Sequence, residues 1–164
     1  MKTIRGHHFG RAAVFAALLL FVAMAFQMVT LSSAQKAMRQ DTLKLITASG
    51  THAFTIEIAE KDEDKARGLM FRRTLAPDAG MLFPYDPPQE ITMWMKNTYI
   101  SLDMVFIRAD GVVHRIATGT EPFSEKVIAS EGTAAAVLEV IAGTAARIGL
   151  KPGDRVEHAM FVRK

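Results

Sequence analysis

The hydrophobic pattern of this chain changes period several times. Residues 12–26 (AAVFAALLLFVAMAF) are apolar without a break, follow Lys2, Arg5 and Arg11, and lead to Ser32-Ser33-Ala34. Ser32 and Ala34 then stand at the −3 and −1 positions of a cleavage site, the pattern of a secretory signal peptide. The competing reading is a retained anchor. Fifteen residues of helix reach about 22 Å against a hydrocarbon core of about 30 Å, and counting on to Leu31 brings the run to the lower edge of spanning length. In both cases the positive flank stays inside, so the rest of the chain is expected to be exported, in the periplasm or secreted.

Beyond residue 34 the period shortens to two. Asp41 to Ala48 and His52 to Ala59 alternate, with Leu43 and Leu45, then Phe54, Ile56 and Ile58, on one face and a Ser49-Gly50 turn between them. Lys61 to Met70 predicts a helix. Asp62, Glu63 and Asp64 fall in its first turn, Lys65 and Arg67 follow, and Ala66, Leu69 and Met70 form an apolar stripe. Gly80 to Phe83 reads as a short strand stopped by Pro84 and by Pro87-Pro88. Ile91 to Met95, Leu102 to Ile107 and Val112 to Ala117 are further strands, the last two joined at Asp110-Gly111. Lys126 to Ala129 and Ala135 to Ile141 are weaker strands, and Thr144 to Ile148 is a short helix. Pro152-Gly153 makes a turn, and Arg155 to Val162 closes the chain as a strand. The expected class is α+β: a compact, β-rich single domain, a small barrel or sandwich of short, mostly antiparallel strands, with two short helices. The expected organisation is 1–34 as signal peptide or N-terminal membrane anchor, 35–40 as linker and 41–164 as the globular domain.

Composition narrows the chemistry. The net charge is +3 over 164 residues, but three of the 20 basic residues precede Ala34, leaving 17 basic against 17 acidic afterwards. A nucleic-acid binder needs its basic excess on the folded part, so that partner is excluded. With no cysteine, disulfides, Cys-ligated metals and thiol catalysis are excluded as well.

Three stretches carry a resemblance: GLMFRRTLAPDAGMLFPY, then MWMKNTYISLDMVFIRADGVVHRI, then AAVLEVIAGTAARIGLKPGDRV. Together they resemble the domain-of-unknown-function family 192, small bacterial and archaeal proteins that are often exported, over Lys44 to Val162. The WMKNT-x-x-x-LD run and the VLE…G…GD ending are its specific marks, and Ser101 stands where the family often has proline. The resemblance implies one β-rich domain and brings no agreed activity, catalytic residue or cofactor.

The residues therefore speak for themselves. On a strand from Ile91 to Met95, period two sets Ile91, Met93 and Met95 on one face and Thr92, Trp94 and Lys96 on the other. Met93 and Met95 read as core, with a Cu(I) site involving His114 as the alternative. No metal and no cofactor are expected. Trp94 beside Lys96 reads either as a sheet cap or as the platform of a ligand site. Asp103 and Glu139 are carboxylates in apolar runs and must be hydrogen-bonded or functional. Asp103 is expected to tie down the Asn97-Thr98 loop with Lys96 as a partner, or to join Lys96 and Asn97 at the mouth of a pocket. Trp94, Lys96, Asn97, Asp103 and Glu139 are thus the ligand-binding candidates. The expected function is non-enzymatic binding of a small polar or sugar-like ligand, or of a partner in the cell envelope. One alternative is an envelope enzyme with Asp103 and Glu139 as acid and base. Another is a PDZ-like peptide-binding module built on AARIGLKPGDRV. The membrane is met only through residues 12–31, if that segment is uncleaved.

Overall fold

The computed structural model describes residues 38–161. The apolar run 12–26 and the cleavage-site residues, on which the expectation of export rests, lie outside them. Among the described residues no helix is long and apolar enough to cross a membrane.

Strands β1 (Arg39–Thr47) and β2 (Gly50–Ile58) pair as the expected hairpin, with Leu43 opposite Phe54 and Thr47 opposite Gly50. Helix α1 (Asp62–Arg67) is shorter than the periodicity suggests and buries none of its residues. Gly68 ends it at φ 49°, and Leu69, the buried member of the expected stripe, lies past that end.

Strand β3 (Ala79–Met93) joins what the prolines appeared to divide, so the separate strands expected at Gly80 to Phe83 and Ile91 to Met95 are corrected to one. Its register against β6 (Ile128–Ile141) jumps from Pro84 opposite Ala136 to Gln89 opposite Ala134. Pro87 and Pro88 fall inside that irregularity, where no ladder N–H is required of them. The two weak strands expected around β6 are likewise one. Strands β4 (Leu102–Ile107) and β5 (Val113–Ala117) follow the sequence reading, and α2 (Thr144–Ile148) matches it. Where an extended run from Arg155 was expected, the strand is only β7 (Arg155–Glu157), followed by a 3-10 turn at Ala159–Phe161.

All seven strands form one sheet in the order β5-β4-β6-β3-β2-β1-β7, antiparallel throughout except for β2 beside β3. The sheet curls into a half-barrel whose ends touch. Val112, just before β5, bridges to Arg155 of β7, and the Val113 and Val156 amides donate to Asp154 and Gly111 carbonyls at 2.8 and 2.7 Å. Gly111 makes this closure possible, because a Cβ there would sit 2.8 Å from the Val156 carbonyl oxygen. The two faces of the sheet carry separate cores. Leu43, Phe54, Ile56, Val105, Leu138 and Val140 pack with α2 on one face. Met81, Phe83, Ile91, Met95, Met104 and Phe106 pack with Leu69 on the other. This is the expected β-rich α+β domain with two short helices.

Candidate functional site

The two buried carboxylates have opposite fates, and register explains why. Asp103 of β4 faces Val140 of β6, whereas Glu139 faces Met104. Side chains alternate along a strand, so Asp103 points into the α2 face and Glu139 into the Leu69 face. They cannot act on one substrate as acid and base, and that expectation is corrected.

Asp103 is fully buried and satisfied. Its Oδ1 accepts from the Gly119 amide and its Oδ2 from the Ala145 amide in the first turn of α2, both at 2.9 Å. The expected partners, Lys96 and the Asn97-Thr98 loop, are elsewhere. Lys96 Nζ lies 3.7 Å from Glu125 and 5.9 Å from the Trp94 ring centroid. Asn97 is exposed at φ 54°, and its carbonyl accepts from the Phe71 amide at 2.9 Å. Asp103 is thus engaged away from Lys96 and Asn97.

Glu139 has only 4% of its surface exposed. Its neighbours across the sheet are Met81 on β3 and Met104 on β4, both fully buried and neither able to donate a hydrogen bond. Burial in that sulfur-lined setting pushes the carboxyl up to about 8, so at neutral pH it keeps its proton. No protein hydrogen bond to its carboxyl is formed among the described residues. What it meets instead is a small chamber of about 30 Å³, walled by Phe83, Met93, Trp94 and the end of α1. Gly68 forms part of that wall because its positive φ and the Phe83 ring, 3.2 Å from where a Cβ would stand, admit nothing larger.

Lys65, Ala66, Met93 and Trp94 are shared with a wider cleft of about 260 Å³, which Tyr85, Thr92 and Asp62 complete. Lys65 Nζ sits 4.8 Å from the Tyr85 ring centroid. Burial first, and the Glu139 charge second, push the Tyr85 phenol up. The arrangement is a half-exposed indole and a phenol flanking an opening, with a neutral acid at its inner end able to donate one hydrogen bond. Of the candidates from sequence, Trp94 and Glu139 come together here. Tyr85 and Lys65 were not among them, since Tyr85 sits in a proline-rich stretch without period and Lys65 read as solvated helix surface.

A larger groove of about 400 Å³ runs between β5 and the start of β6. Its half-buried Arg115 is already engaged, donating to the Ala129 carbonyl at 2.8 Å and pairing with Glu131 at 3.0 Å. The methionines of the copper alternative are engaged separately. Met95 sulfur accepts from the Thr120 hydroxyl at 3.1 Å, Met93 sulfur lies 4.0 Å from the Tyr85 hydroxyl, and His114 contacts the Glu131 carbonyl. AARIGLKPGDRV forms α2 and the turn into β7 within the common sheet, not a separate peptide-binding module.

Comparison with known proteins agrees with this architecture. Among curated proteins none matches the chain. A crystal structure from Sinorhizobium meliloti 1021, of a protein described as a proposed transcription regulator, is 45% identical with a TM-score of 0.75, over 77% of this chain and 99% of that one. A protein of unknown function from Novosphingobium aromaticivorans DSM 12444 is 39% identical with a TM-score of 0.74, over 76% of this chain and 89% of its own. The family model described as "Uncharacterized ACR" matches residues 44–158. The chain belongs to the domain-of-unknown-function family 192.

Proposed function

We propose that this chain is an exported, non-enzymatic binding domain that takes a small polar, sugar-like ligand in the cleft between Tyr85 and Trp94. The observation that carries the reading is Glu139, a buried acid that keeps its proton, lacks a protein partner among the described residues and lines the inner chamber. Facing the chamber with no protein acceptor for its proton, the carboxylic acid is placed to donate to a ligand oxygen. The Trp94 face offers apolar area to the C–H face of a sugar ring, while Glu139 donates to one of its oxygens. Glycoside hydrolysis in its usual form uses two cooperating carboxylates, and Asp103 lies on the other side of the sheet. A nucleic-acid reading carried over from the Sinorhizobium relative lacks the required basic excess.

Trp94 is the sole tryptophan, so its fluorescence reports the cleft directly. Titration with a panel of neutral mono- and disaccharides at millimolar concentration is expected to shift its emission at pH 7. The response should fade as the pH rises through about 8, where Glu139 loses its proton. Glu139→Gln, which keeps a donor at every pH, should respond without that fade. A flat response across the panel, or one unchanged in Glu139→Leu, would exclude the proposal. Export is tested by fusing residues 1–40 to a reporter active only outside the cytoplasm. Activity is expected, and a silent reporter at normal expression would overturn it.

A further inference from the structure

Every large hydrophobic side chain that is exposed among the described residues lies on three neighbouring segments: Phe71, then Trp94 and Tyr99, then Phe123 and Val127. Backbone hydrogen bonds tie the segments together. The Phe71 amide donates to Asn97, the Phe123 amide to Thr98 and the Met95 amide to Ser124, at 2.9, 3.2 and 2.9 Å. Phe71 and Phe123 hold φ 65° and 62°, a left-handed conformation that glycine adopts freely and a bulky side chain adopts under strain. Both rings are then turned to solvent, 57% and 54% exposed. Two costs at one residue, twice over, are unfavourable for the fold alone, and strain of this kind collects where a surface is used.

From this we infer that the three segments form a docking surface for a phospholipid bilayer with anionic headgroups. None of the cavities described above includes Phe71, Tyr99 or Phe123 among its walls. They suit a soft apolar layer, whereas a small ligand needs a concave site. Their chemistry is interfacial: Tyr99 meets Phe123 edge-on at 5.0 Å, and the Arg73 guanidinium stacks over Tyr99 at 4.9 Å. Aromatic bodies enter the acyl boundary while Tyr and Arg tips stay among headgroups. Arg73 and Lys126 form no ion pair among the described residues, and neither does the exposed Glu121 beside Phe123, so a small cationic excess on these segments favours anionic lipid.

The test uses residues 35–164. All strands and both cores lie inside that range, and the Sinorhizobium structure is this domain almost alone. Co-sedimentation with phosphatidylethanolamine–phosphatidylglycerol vesicles is expected, weaker with phosphatidylcholine, and accompanied by a blue shift of Trp94 emission. In the double variant Phe71→Gly, Phe123→Gly, vesicle partition should fall about tenfold or more, since two partly buried rings are lost. Its melting temperature should hold or rise, because glycine relieves the left-handed strain. No sedimentation with either vesicle would overturn the lipid assignment and leave a protein partner for this surface. Undiminished sedimentation of the double variant, or a marked fall in its melting temperature, would overturn the role given to the phenylalanines. Neither phenylalanine walls the Glu139 cleft, so saccharide titration of the same variant keeps the two proposals separable.

Discussion

Both oxygens of Asp103 are taken up by backbone amides, one from Gly119 and one from the first turn of α2. Asparagine offers only one acceptor to those two donors and turns an N–H₂ toward the other. Asp103→Asn is therefore expected to cost about 1.5–3 kcal/mol, the range for a hydrogen bond to a charged group, and Asp103→Leu more. Lys96→Met should change stability by less than about 0.5 kcal/mol and add independently to Asp103→Asn, because the two side chains share no partner. Urea melts of the two single variants and the double variant check this. That Asp103 had to be buried and bonded was legible, since every neighbour in its strand is apolar. Its partners were not, because they come from 16 and 42 residues away and are main-chain groups that any residue carries. The left-handed phenylalanines were illegible for a related reason: nothing in the residue type announces a positive φ, as Gly or Asn would.

At the scale of elements, local signals worked where a turn chemistry or a strict alternation decided the outcome. The Ser49-Gly50 hairpin, β4 with its Asp110-Gly111 connection, and α2 are as the pattern requires. Punctuation misled where tertiary pairing took over. Pro84, Pro87 and Pro88 look like a strand's end, yet β6 pairs with β3 on both sides of them, and the unpaired residues bulge out between. Helix α1 shows the converse, a periodic stripe cut short because Gly68 must turn over the Phe83 ring. The site inherits this geography. Trp94 and Glu139 stood out as single residues, but the cleft exists only because β3 runs unbroken beneath α1 and brings Tyr85 to the same opening.

Across the whole molecule, the protonated Glu139 ties stability to pH. The folded chain holds this proton up to about pH 8, whereas the unfolded chain releases it near 4.5. The native state thus binds more protons between those values, and the Glu139 contribution to stability declines as pH rises through that window. The slope reaches at most about 1.4 kcal/mol per pH unit for one proton. Glu139→Gln should lose that slope, and denaturant melts of both proteins at pH 5, 6, 7 and 8 measure the difference. The fold class was legible from alternation and turns, but the closure of the sheet was not, because it joins residues 111–113 to 153–156 through main-chain groups. That closure has a consequence for the order of events. The first strand made, β1, lies between β2 and β7, and β7 is the last strand to leave the ribosome. β3 likewise waits for β6, whose partner residues run from Ile128 opposite Met93 to Val140 opposite Gly80, before its far edge is paired. Pairings this distant in the chain form slowly. If the chain were threaded through a translocation pore with β1 crossing ahead of β7, it would therefore stay pliable until nearly all of it had crossed, and would acquire its finished sheet only on the far side.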